Sequence, residues 1–260
     1  MRHFALTAPA VLALAAATTW LPRPEAPEQE RCEVRREVDQ QLDAAGLTGV
    51  LVDAGAGSLE VIGSDAPRVR VRGVLCVSDE ELAAESRLVV ERRQDAAWIE
   101  TDLADADGWG EYARMDLTIE MPTTLAADIR DGSGAIRVRA IAAVRIDDGS
   151  GEVDVQEIAG EVRIDDGSGE IRVRRVGSVE IEDGSGGLEV AEVRGDVLVV
   201  EDGSGGMDIR NIEGDVVIRD DGSGSIEVSR VTGDFILEQD GSGSVRYSQI
   251  QGQVSVPPER

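Results

Sequence analysis

From Gly151 to Asp165 the chain alternates apolar and polar residues in two short runs around a turn, which places Val153, Val155, Ile158, Val162 and Ile164 on one face and charges on the other. A period of two predicts two β-strands per unit, and the unit recurs. The tetrapeptide D-G-S-G opens at Asp131, Asp148, Asp166, Asp183, Asp202, Asp221 and Asp240, with spacings of 17, 18, 17, 19, 19 and 19 residues. A short fixed period of this kind is the mark of a solenoid, because one coil cannot bury its apolar face alone whereas stacked coils share a continuous core. The predicted fold is all-β, a β-solenoid of about 17–19 residues per coil with two short strands per coil, plus a short N-terminal helix. Its inner residues read Ile136, Val138 and Ile146, then Ile171, Val173 and Ile181, then Leu188 and Val190, and on to Ile226, Val228 and Phe235.

The differences in coil length can be placed. Coils of 17 residues lack one residue in the mid-coil turn, where Ile141 to Val144 and Val176 to Val179 stand closer than Ile158 to Val162. Coils of 19 keep the longer turn and add a residue before D-G-S-G. Counting from their Gly-Asp turns puts Val197, Val199, Val216, Ile218, Phe235 and Leu237 inside and turns Leu198, Val217 and Ile236 outward. An apolar stripe on a charged wall marks either an interaction surface or a face covered by another part of the chain.

Ahead of the repeats four zones are distinguished. Residues 1–17 read as a signal peptide, with Arg2 and His3 before an apolar run and Ala15-Ala16-Ala17 as a cleavage site. Residues 18–32, with Pro22, Pro24 and Pro27, read as a flexible leader. Residues 33–46 read as a short amphipathic helix carrying Val34, Val38 and Leu42 and stopped by Gly46. Residues 47–130 read as an irregular N-terminal part of the solenoid, with strands at Val50–Val52, Ser58–Val61, Arg68–Val71, Arg87–Glu91, Trp98–Thr101 and Met115–Glu120, a helical turn within Ser78–Ser86 and a loop over Leu103–Gly110. The regular solenoid spans residues 131–256. No stretch is apolar for the roughly 20 residues that a membrane-spanning helix requires.

Charge narrows the partners. Against 26 basic residues stand 52 acidic ones, a formal net charge of −26, so nucleic acid and anionic lipid surfaces are repelled and cations attracted. Cys32 and Cys76 are the two cysteines, and in an exported chain such a pair predicts a disulfide. The one histidine, His3, lies in the signal, which removes His-based triads and His-ligated zinc from the mature protein. Trp98 and Trp109 are expected in core or capping positions.

The D-G-S-G motif has two readings. As a turn, Asp bonds the backbone two residues on and the glycines supply positive φ or close approach between coils. As a cation ladder, stacked carboxylates about 4.8 Å apart could hold Ca²⁺ between rungs, with Asp148, Asp166, Asp183, Asp202 and Asp221 as candidate ligands. The nonapeptide of calcium-binding β-rolls is missing, and the turn reading is preferred, with no cofactor assigned.

The segments Gly57-Ser58-Leu59-Glu60-Val61-Ile62-Gly63 and Met115-Asp116-Leu117-Thr118-Ile119-Glu120-Met121-Pro122, followed by G-S-G-x-I-x-V units, resemble the bacterial putative-adhesin family, a domain of unknown function. The resemblance covers about Leu47 to Val256 and implies a β-solenoid in the cell envelope; it supplies no binding residues to carry over. The expected function is that of a non-catalytic exported envelope protein, periplasmic or at the cell surface, a rigid acidic scaffold or adhesin-like surface for an envelope protein or polysaccharide. Self-association through the stripe is also open. The alternatives are a carbohydrate-active β-helix enzyme using carboxylates and a calcium-dependent structural repeat protein.

Overall fold

The computed structural model describes residues 32–258, so the predicted signal peptide and all of the predicted leader before Cys32 lie outside the described residues. Ahead of the repeats run β1 (Val34–Asp43), β2 (Gly49–Ala56), β3 (Leu59–Ser64), β4 (Arg68–Val77), α1 (Glu80–Glu85), β5 (Arg87–Arg93), β6 (Ala96–Asp102) and β7 (Ala113–Pro122). The repeats supply β8 (Ala126–Ser133), β9 (Ile136–Arg139), β10 (Ala143–Asp148), β11 (Val153–Gln156), β12 (Glu161–Asp166), β13 (Gly169–Val176), β14 (Ser178–Asp183), β15 (Gly186–Val193), β16 (Val197–Asp202), β17 (Gly205–Ile212), β18 (Val216–Val231), β19 (Phe235–Ile250) and β20 (Val254–Ser255).

The repeat region is the predicted all-β solenoid. Strands β8, β10, β12, β14 and β16 and the first half of β18 stack in parallel as one face; β9, β11, β13, β15 and β17 and the second half of β18 form the other. Equivalent residues lie directly over one another, as in the pairings of Val144 with Val162, Ile164 with Ile181 and Leu188 with Met207. Alternate residues therefore line the core, and Val153, Val155, Ile164, Ile171, Val190, Ile218 and Phe235 are all fully buried. The outward residues pair across coils instead. Arg163 donates to Glu180 at 2.7 Å, and Arg172 bridges Glu152 and Glu170.

Each coil turns twice. At the mid-coil corner Ala140, Glu157, Arg175, Glu192, Asn211, Arg230 and Gln249 all adopt left-handed φ of 56° to 59°. This reverses the side-chain alternation, so the next residue (Ile141, Ile158, Val176, Val193, Ile212, Val231) returns to the core. The extra residue of the longer coils is also visible: the β14–β16 register passes from Val199 over Ile181 to Glu201 over Glu182, leaving Val200 as a bulge.

The segment 33–46, expected as a helix, is strand β1. Four-residue spacing of Val34, Val38 and Leu42 satisfies a period of two as well, and the open edge of β4 decides the matter by pairing antiparallel from Val34 with Val77 to Asp43 with Arg68. The short helix lies later, at Glu80–Glu85, where the Asp79 carboxylate caps it by accepting from the Glu81 and Leu82 N–H groups at 2.9 and 3.0 Å. Trp109 is fully exposed in the 103–112 loop, against the core or capping role expected of it. Trp98 is half-buried, with the Arg93 guanidinium 4.1 Å over its ring.

The first coils are stacked out of chain order. Strands β2 and β3 lie between the coil made by β6 and β7 and the one made by β8 and β9, so the chain forms a coil, leaves it, builds the layer beneath and returns above. This places Ala54 under Asp131 and Ala56 under Ser133, so Ala54-Gly55-Ala56-Gly57 forms the corner that D-G-S-G forms above it. The antiparallel strands β5 and β1 close that end through β6 and β4. Cys32 and Cys76 form a disulfide with Cα atoms 5.3 Å apart, tying the start of β1 to the end of β4.

The second glycine of each D-G-S-G is where coils approach most closely. At Gly186, φ is +152° and an added Cβ would lie 1.5 Å from the Gly169 carbonyl oxygen. At Gly187 the nearest atom is the Glu170 Cγ at 3.7 Å. Gly186→Ala is expected to destabilise the protein by about 3 kcal/mol or more, since backbone, not a side chain, must give way. Gly187→Ala is expected to stay within roughly 1 kcal/mol of the parent, as measured by urea denaturation.

Candidate functional site

The D-G-S-G aspartates form one continuous column. Asp131, Asp148, Asp166, Asp183, Asp202, Asp221 and Asp240 are stacked rung on rung in register. From Asp131, which is 7% exposed, burial deepens along the column to 0% at Asp221, which makes this a line of carboxylates inside the protein wall. The turn chemistry is present: Asp148, Asp166 and Asp183 each accept from the N–H of the serine two residues on, at 3.3, 3.3 and 3.1 Å. That bond satisfies one oxygen. The other oxygen of each of these three has no hydrogen-bond partner, and in Asp131, Asp202 and Asp221 neither oxygen has one.

Burial is costly to a charged carboxylate, and neighbouring carboxylates add repulsion. Burial first, and then the charge on Asp148, raises the pKa of Asp131 to about 7. Burial with Asp183 and Asp221 on either side raises Asp202 to about 7. Asp166 and Asp221 are raised to about 6 by burial and then by neighbouring aspartates, and Asp148 and Asp183 are raised chiefly by burial. Asp147 beside Asp148 and Asp220 beside Asp221 push in the same direction. Among the described residues no group of three His, Cys, Asp or Glu side chains converges on a point that could hold a metal ion. The column offers two carboxylates per gap, where Ca²⁺ takes six to eight oxygens.

The sequence placed the aspartates in turns but did not place them inside. The signal was there in part: Val162 and Ile164 point inward, and two residues on, the same alternation points Asp166 inward. A second, smaller acidic column lies at the Gly-Asp turns. There Asp196, Asp215 and Asp234 each accept from the backbone N–H of the residue stacked above, Asp215, Asp234 and Gln253, at 2.9, 2.8 and 2.7 Å.

Leu198, Val217 and Ile236 are stacked in one outward row, half-buried, with Glu180 below and Ser255 above. The left-handed corner builds another feature that the sequence did not announce, since of its seven residues only Asn211 is of a type that favours such φ. Beside these corners runs an open groove of about 980 Å³. It runs past Ile158, Val193 and Ile212, whose side chains turn away into the core, and its rim alternates in charge through Glu157, Arg175, Glu192 and Arg230. Arg194 lies along it and spans the shorter coil, donating to the carbonyls of Ile158 and Ala159 at 3.3 and 2.7 Å.

The buried column fixes the sign of a pH effect. Its folded-state pKa values lie above the unfolded carboxylate value near 4, so the folded state holds the extra protons between these limits and the contribution is complete below about pH 4 and lost as pH rises through about 6 to 7. Melting temperature is therefore expected to be higher at pH 5 than at pH 8. The double variant Asp202→Asn with Asp221→Asn is expected to melt above the parent at pH 8 and to show a flatter dependence on pH. A calcium-dependent rise at pH 8 that the double variant loses would instead mean that cations neutralise the column.

No protein-family model matches the chain, and none of the curated proteins matches it either. Solved structures do. A protein from Bacteroides fragilis described as a putative adhesin aligns over 85% of this chain and 96% of its own at 14% identity, with a TM-score of 0.55. A putative lipid binding protein from Parabacteroides distasonis aligns over 84% and 96% at 14% identity with a TM-score of 0.42, and a putative cell adhesion protein from Clostridium sporogenes over 85% and 99% at 10% identity with a TM-score of 0.32. At these identities the likeness is one of fold, and it is carried by the first of the three. The chain thus shares the β-solenoid fold of a protein described as a putative adhesin, in agreement with the family resemblance in its own Gly57–Gly63 and Met115–Pro122 segments.

Proposed function

We propose that the protein is an exported, non-catalytic binding scaffold that holds an extended segment of an envelope protein along its side. The observation that carries this reading is the groove beside the left-handed corners, whose lining reaches from Glu157 to Gln251. Six rungs at about 4.8 Å give it a length near 24 Å, suited to an extended chain rather than a compact metabolite. Its rim of alternating charge suits a polypeptide of mixed charge. An aromatic platform of the kind used to stack sugars is not among its lining residues, since the exposed aromatics Trp109 and Tyr247 lie elsewhere. The Cys32–Cys76 disulfide supports an oxidising compartment, and no helix among the described residues is long and apolar enough to cross a membrane. The Leu198–Val217–Ile236 row is a second surface of the same scaffold, reserved for contact on the strand face.

Photo-crosslinking from Asn211 in the groove, compared with crosslinking from Glu180 on the strand face, tests the assignment in intact cells. A protein partner is expected to crosslink from Asn211, with capture lost when Thr232→Arg fills the groove. Capture of polysaccharide, or a yield unaffected by that substitution, would refute the proposed occupant. Intact mass of protein recovered from the envelope fraction is expected to show the loss of two hydrogens from the Cys32–Cys76 bond, and Cys76→Ser is expected to cost roughly 4 kcal/mol for a loop of this size.

A further inference from the structure

The two ends of the solenoid are finished differently. At one end the antiparallel strands β1 and β5 close the stack, and their outer residues include Arg35, Glu37, Arg87 and Arg92. At the other, β19 is paired with β18 along its length on one side, but on its far side β20 covers only Phe235 and Ile236. Pro257 and Pro258 follow β20 and cannot donate to a ladder. Among the described residues, Gly241–Ile250 therefore has strand neighbours on one side only.

This edge exposes both backbone and core. In lower coils the second D-G-S-G glycine donates to the serine carbonyl of the coil above, as Gly134 does to Ser150 at 3.1 Å and Gly186 to Ser204 at 2.9 Å. Gly243 occupies that position with no coil above it among the described residues. The inward residues of the coil below, Ile226 and Val228, are 1% and 0% exposed, whereas Tyr247, stacked on Val228, is 49% exposed and Val245 is half-buried. A repeat array ordinarily ends in a coil with a polar outer side, and among the described residues no such coil lies over β19.

We propose that this open end is an interface with a second copy of the chain, with β19 pairing antiparallel to its two-fold mate. Backbone donors and acceptors in a row are matched only by another strand edge. Head-to-tail stacking is blocked, because the opposite end presents antiparallel, charged strands in place of a matching coil; an isologous contact remains, and it closes as a dimer. Charge selects the same place. Two copies of a chain of net charge −26 repel each other over most of their surface, yet Gly241–Ile250 contains no acidic residue and one cation, Arg246. Of the equivalent stretches in the six preceding coils, five carry acid, as at Asp154, Glu170, Glu189, Asp208 and Glu227, and Gly132–Ile141 does not. On the same uncovered edge the acids, Glu238 and Asp240, stand on the other half of β19.

The test is mass and shape of the full mature protein at tens of micromolar, by light scattering and small-angle X-ray scattering. The expected result is a dimer with a maximum dimension about twice that of the monomer. The double variant Ser244→Glu with Arg246→Glu is expected to be monomeric. It should still fold, because Glu170 and Glu227 already occupy the same two columns in lower coils, and an unchanged circular dichroism spectrum checks this. A monomeric parent, a dimer that survives the double variant, or a dimer of undoubled length that Val217→Lys dissociates would overturn the proposal. The last result would place self-association on the apolar row of the strand face.

Discussion

Stacking in register, with each residue directly above its counterpart at about 4.8 Å, is the constraint from which the other features follow. It rewards any residue that stacks well on a copy of itself, and it magnifies any that does not. Isoleucine and valine columns fill a narrow core coil after coil, and an added methyl group at the second D-G-S-G glycine would collide with backbone in the coil below. The same geometry explains why the extra residue in the longer coils appears as a bulge at Val200. A bulge absorbs one residue locally and lets Asp202 return to its place over Asp183.

That rule sets the aspartate column against its own electrostatics. A column of buried carboxylates is the least favourable arrangement for charged groups, and a neutral residue would serve the turn as well. Taken singly, Asp148, Asp166 and Asp183 look like ordinary turn residues with their serine N–H contacts at 3.1 to 3.3 Å. Taken together, the aspartates form a line in which burial, and then the charge of neighbouring aspartates, raises the proton affinity of Asp131, Asp166, Asp202 and Asp221. The Gly-Asp column resolves the same problem differently: Asp196, Asp215 and Asp234 bond the backbone of the next coil and lie nearer to water. Two acidic columns in one wall thus differ in whether the backbone of the next coil reaches them.

Coil architecture, strand positions and inward residues of the repeats were legible because period two and a punctuating tetrapeptide are local signals, repeated until chance is excluded. Features that depended on what lay beside a segment were not. Val34, Val38 and Leu42 fit a helix or a strand equally, and only the free edge of β4 chooses between them. The out-of-order coil of β2 and β3 leaves no local trace, since Ala54-Gly55-Ala56-Gly57 shares its glycines with D-G-S-G but not its Asp or Ser. The groove was hidden for a similar reason. Its left-handed corners are occupied by Ala, Glu, Arg and Gln as readily as by Asn, because stacking holds a backbone conformation that these residues do not seek alone.

An array with translational repetition has sides that are alike at every level and ends that are not, so side surfaces and end surfaces carry different information. Along the sides the pattern varies by column: paired charges through Arg163 and Glu180 keep one row soluble, while Leu198, Val217 and Ile236 make another row apolar over three coils. Such a surface is suited to recognising something long, and affinity can accumulate rung by rung without any single dominant contact. At an end the question is whether the stack is closed. Here β1 and β5 reverse strand direction and close the first end, while β19 leaves Tyr247 over the final core layer. The ring of Tyr247 packs at 5.9 Å against that of Phe235 and covers part of what a further coil would have covered, leaving the strand edge beside it with its pairing capacity intact.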